Sequence, residues 1–68
     1  MDIQLNGERR VLMEPLTLWQ LLEREGIPPE QIGVAIAVNR QVIPRQAWKD
    51  FRLQGGEVIE LVYARQGG

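Results

Sequence analysis

One stretch of this chain is marked as a helix at both ends, and everything else has to be arranged around it. Thr17 and Gln20 have the T-x-x-Q spacing of a capping box, and Leu16 and Leu21 occupy the positions of a hydrophobic staple. Leu18, Leu21 and Leu22 fall on one helical face, extended by the aliphatic stem of Glu25, while Gln20, Glu23 and Arg24 lie elsewhere. Gly26 stands where a C′ residue must accept positive φ, and Pro28-Pro29 forbids continuation. The pattern predicts a single amphipathic helix of about two to three turns.

The flanking segments alternate with the period of strands. Ile3–Leu5 and Val11–Met13 are short apolar runs on either side of Asn6-Gly7, a pair that tolerates positive φ and signals a hairpin. Val34, Ile36 and Val38 alternate with small Ala35 and Ala37, as in an interior strand with unequal faces. Pro44 ends the extended run that follows, and the segment from Pro44 to Phe51 reads as a turn or one helical turn. Gly55-Gly56 turns the chain into Glu57–Tyr63, with Ile59, Leu61 and Tyr63 on one face and Val58, Glu60 and Val62 on the other. A helix between strands permits a parallel crossover, which places the first and last strands centrally with the helix across one face. The expected fold is α+β: a mixed sheet of four to five strands in a β-grasp, or ubiquitin-like, roll.

A chain of 68 residues makes one domain, and a body of this size buries only about 60% of the surface its unfolded chain exposes. With no cysteine and no histidine it lacks disulfides, thiolate ligands and a side chain suited to acid–base work near neutrality, so no metal site or catalytic group is expected. A net charge of −1 with scattered basic residues argues against nucleic acid as a partner. No apolar stretch approaches the roughly 20 residues of a membrane span, and the first residues lack the pattern of a secretory signal. A cytoplasmic protein, monomeric when free, is the expectation.

The pair Gly55-Gly56 has a sufficient explanation as a turn between strands. Gly67-Gly68 does not, because no strand follows it. The expected division is therefore a body over residues 1–64 and a flexible diglycine tail over 65–68. Extended, that tail reaches about 13 Å beyond the sheet, and glycines without Cβ atoms can thread a narrow cleft close to a nucleotide. A carboxylate becomes an electrophile once ATP converts its oxygen to a leaving group. The chain has no nucleophile, base or phosphate-binding loop for that step. If the tail is used chemically, the protein is a carrier presented to another enzyme, which consumes the ATP; no cofactor is expected to be bound.

The segment Val34–Trp48, an alternating Val/Ala strand ending in Asn39 followed by Val42-Ile43-Pro44-Arg45 and Trp48, resembles the ThiS family of sulfur carriers in thiamine biosynthesis. The resemblance runs from the N-terminal hairpin to the diglycine. It departs at Gly55-Gly56-Glu57, where the family often has Asp-Gly-Asp. It implies that a ThiF-type enzyme adenylates the Gly68 carboxylate and that sulfur from a desulfurase or rhodanese-like donor converts it to a thiocarboxylate. A ThiG-type thiazole synthase would then take the sulfur. Gly67, Gln66 and Arg65 would thread the activating cleft. A molybdopterin-synthase-type carrier, a ubiquitin-like modifier and a non-covalent β-grasp interaction module are the alternatives.

Such partners need a docking face. With Ile59, Leu61 and Tyr63 assigned to the core, Val58, Glu60 and Val62 face outward beside Ala35 and Ala37, forming a shallow apolar patch. Trp48 is expected to plug the irregular crossing and Trp19 to lie off the helix's apolar stripe. Arg45 is left to pair with an acid on the body or on a partner.

Overall fold

The computed structural model describes residues 1–63. A five-stranded sheet is built from β1 (Asp2–Leu5), β2 (Glu8–Val11), β3 (Val34–Val38), β4 (Gln41–Ile43) and β5 (Val58–Tyr63), in the order β2-β1-β5-β3-β4. β1 and β5 are parallel at the centre, and the other three pairs are antiparallel. One helix, α1 (Leu18–Arg24), follows the first hairpin, and a single 3₁₀ turn (Arg45–Ala47) lies in the long return from β4 to β5.

The helix begins and ends as its sequence dictates. The Thr17 hydroxyl accepts from the Gln20 backbone N–H at 3.2 Å while the Thr17 N–H donates to the Gln20 side chain at 3.0 Å. At the other end Gly26 takes φ +78°, its N–H donates to Glu23 and that of Ile27 donates to Leu22, which is a Schellman closure. Leu18, Leu21 and Leu22 are buried against the inward side chains of the sheet: Ile3 and Leu5 from β1, Ile36 and Val38 from β3, Ile59 and Leu61 from β5. None of the buried residues among those described is polar or charged. No helix of the described residues is long and apolar enough to cross a membrane.

Two expectations require correction, and one connection is added. The second strand is Glu8–Val11, not Val11–Met13: the two-residue turn at Asn6 (φ 50°) and Gly7 (φ 80°) pairs Leu5 with Glu8 directly, so the strand starts at once. Its charged residues suit a sheet edge, and Met13 is left exposed. Tyr63 is not in the core but 40% exposed, because the last residue of β5 pairs only with Val34, past the point where β1 has turned away. The turn from β3 to β4 is a second tight hairpin, with Asn39 at φ 50° and Arg40 at φ 70° between paired Val38 and Gln41.

Candidate functional site

The outer face of the sheet, opposite α1, gathers the side chains that alternation sends away from the core. Ala35 pairs with Val62, Ala37 with Glu60, and Gln4 with Val58, so the expected docking residues stand on the neighbouring strands β3 and β5. Val62 is 65% exposed, Val58, Glu60 and Ala35 are exposed, and Ala37 is half-buried. The structure adds Val42, 70% exposed on β4 and paired with Ala37. Reading Asn39-Arg40 as a two-residue turn would have put Val42 on this face. An open depression of about 700 Å³ lies over Val58 and Glu60, rimmed by Gln4, Asn6-Gly7 and Asn39-Arg40. The patch is apolar around a single central carboxylate, Glu60, with Arg40 at its rim, a composition compatible with protein contacts.

β5 is fastened at both ends by asparagine side chains. At its start the Asn39 N–H donates to the Val58 carbonyl at 2.7 Å and the Asn39 Oδ1 accepts from the Val58 N–H at 3.0 Å. Nearer its end the Asn6 Oδ1 accepts from the Leu61 N–H at 2.8 Å while Asn6 Nδ2 donates to the Leu61 carbonyl at 3.1 Å. Arg65, Gln66, Gly67 and Gly68 lie outside the described residues.

The remaining conspicuous side chains are structural. Trp48 is 1% exposed and its indole N–H donates to the Ile43 carbonyl at 2.9 Å, so it plugs the irregular crossing. Arg45 bonds no acid among the described residues. Its guanidinium lies 4.6 Å from the centre of the Trp48 ring and donates to the carbonyls of Pro29 and Gln31, tying the approach to β3 onto the 3₁₀ turn. Trp19 is half-buried with the Lys49 ammonium 4.5 Å from its ring centre. Arg10 on β2 reaches Glu25 at the helix end through two bonds, 3.0 and 3.1 Å. Hydrogen bonds to Glu25 first, and then to Glu8, raise its pKa above an already high ordinary value. A raised pKa on a base means stabilisation that is present at lower pH and lost only as pH climbs through that value, so titration of Arg10 adds no pH dependence in ordinary buffers. Among the described residues no group of three or more His, Cys, Asp or Glu is placed to hold a metal ion.

The model of the ThiS family matches residues 3–68. The chain is 32% identical over 68 residues to the sulfur carrier protein ThiS of Escherichia coli, covering all of both chains. It is 39% identical over 66 residues to that of Thermus thermophilus, covering 97% of this chain and 98% of the relative. The crystal structure of a thiamine biosynthesis protein (ThiS) from Geobacter metallireducens superposes with a TM-score of 0.81 at 24% identity, covering all of both chains. An NMR structure of a thiamine biosynthesis protein from the same organism gives 0.82 at 23% identity, covering all of this chain and 88% of that one. At such identities these two likenesses establish the shared fold.

Proposed function

This chain belongs to the ThiS family and is a sulfur carrier of thiamine biosynthesis, and from that premise we propose that its working group is the carboxylate of Gly68. A carrier of this kind performs no chemistry itself and works with the enzymes of the pathway. An activating enzyme of the ThiF type binds the body and brings ATP to the tail. The Gly68 carboxylate oxygen attacks the α-phosphorus, pyrophosphate leaves, and the acyl-adenylate forms. The terminal sulfur of a persulfide on a desulfurase or rhodanese-like donor then attacks the acyl carbon and AMP leaves. A thiol cleaves the resulting acyl disulfide, forming a new disulfide with the donor's cysteine and releasing the thiocarboxylate. A thiazole synthase of the ThiG type takes the sulfur onto its substrate, and an oxygen from that substrate or from water replaces it on the Gly68 carbonyl carbon, returning the carboxylate.

The observation that carries this reading is the match of the family model through Gly68 itself. Geometry is consistent with it. Five residues after Tyr63 span at most about 17 Å when extended. An enzyme holding Gly68 in its cleft therefore lies against the body near the end of β5, where Val62 and Ala35 stand, and the patch runs back from them through Glu60, Ala37 and Val42 to Val58 at the start of the strand. Arg65, Gln66 and Gly67 are the residues that would line the path into the cleft.

The test is intact mass after incubation with ATP, the cognate activating enzyme and a sulfur source. The mass is expected to rise by the difference between one sulfur and one oxygen, and deletion of Gly68 is expected to abolish the rise. An unchanged mass for the parent chain would leave the body as a non-covalent interaction module.

A further inference from the structure

The structure assigns to Asn6 a part in activation: we infer that it is a positioning residue, whose side-chain amide holds the end of β5 and so sets where the chain leaves the sheet toward Gly68. The inference rests on the reading of Gly68 as the activated group. β1 pairs with β5 only at Gln4–Val58 and Leu5–Ile59, and its ladder closes with the Asn6 N–H donating to the Ile59 carbonyl at 2.9 Å. There the chain reverses through Asn6-Gly7, and β5 would be left open on that edge. The Asn6 side chain continues the ladder for one more residue, meeting both the N–H and the carbonyl of Leu61 as a peptide group would. With β3 paired to Leu61 from the opposite side, β5 is gripped from both edges to within two residues of Tyr63.

No other residue type meets both demands of this position. The backbone sits at φ 50°, which Asn, Asp and Gly tolerate best. Of these only Asn offers a donor and an acceptor together. Asn39 supplies a natural control. It has the same φ, the same place in a two-residue turn and a similar bond to β5, but at Val58, the end remote from Tyr63.

A misdirected exit reduces the fraction of docked carriers whose carboxylate reaches the nucleotide, leaving docking itself unaffected; the loss falls on kcat, not KM. ATP–pyrophosphate exchange by the cognate activating enzyme, measured across carrier concentrations, reads both constants. Asn6→Gly is expected to lower kcat about five- to tenfold while KM stays within about twofold. Asn6→Asp keeps the acceptor for the Leu61 N–H and is expected to fall between that variant and the parent. Asn39→Gly, on the same rim of the depression, is expected to change KM by about as much as Asn6→Gly does and to lower kcat by less than about twofold. Amide exchange at Leu61 in Asn6→Gly verifies that the clamp has been released, and near-ultraviolet circular dichroism verifies that each variant is folded. Parent-like kcat in Asn6→Gly despite accelerated exchange at Leu61 would overturn the inference. Equal losses in Asn6→Gly and Asn39→Gly would do the same, since both would then act through general loosening. Failure of the parent to support exchange would instead remove the Gly68 reading, and this inference with it.

Discussion

At the scale of single residues, Trp48 is the largest side chain enclosed by the body. Two terms are combined in it, burial of the ring and the indole bond to Ile43. Trp48→Phe keeps most of the ring but leaves the Ile43 carbonyl without that donor, and should cost about 1–3 kcal/mol. Trp48→Ala removes the ring as well and should cost about 3–5 kcal/mol. Urea denaturation with an unchanged m-value would check the order. Equal losses in the two variants would mean that the ring contributes little. Arg45 depends on the same residue, because its guanidinium lies against the Trp48 face while bonding two backbone carbonyls. The Pro-Arg…Trp run therefore has a mechanical account independent of any partner. From sequence, Arg45 suggested an acid. Its acceptors are main-chain oxygens of Pro29 and Gln31, which a list of side chains cannot reveal.

At the scale of elements, legibility followed the range of the interactions involved. The helix was fully readable because every signal that bounds it is local: Thr17 to Gln20, then Gly26 and the prolines. Thr17→Ala removes half of the capping box and should destabilise the fold by about 1 kcal/mol, measured by chemical denaturation; a loss near zero would assign helix entry to packing of Leu16 and Leu18 alone. β2 was misplaced because apolar content drew the strand to Val11–Met13, whereas the turn at Asn6-Gly7 had already committed Glu8 to pairing. An edge strand needs its backbone partners more than it needs apolar side chains. The face of β5 was assigned correctly up to Leu61 by alternation, but alternation does not say where the covering layer stops, and Tyr63 lies past it. Val42 was missed for a related reason. It joins the outer patch through a turn made of Asn39-Arg40, where a non-glycine residue holds φ 70° against the usual preference.

For the whole molecule, the proposed docking face and the core are separated by the thickness of one sheet, so they can be altered independently. Val62→Glu places a charge in the outer patch at a side chain that is 65% exposed. Stability should change by no more than about 0.5 kcal/mol, while KM for the activating enzyme should rise about tenfold or more as the charge is desolvated on docking. The pyrophosphate-exchange assay and urea denaturation check the two halves separately; a parent-like KM would exclude this face from the contact. The arrangement at the centre of the sheet has a further consequence. β1 and β5 are the first and last strands of the described chain, and the Asn6–Leu61 bonds close a loop 55 residues long. Contacts so remote in sequence form late, since the loop must be closed before they return any stability. A ribosome-bound chain that has not yet released β5 possesses neither its middle strand nor the surface that β5 contributes. Were Gly68 activated as proposed, recognition of this face would act as an inspection of manufacture, admitting to ATP only chains whose β5 has found β1.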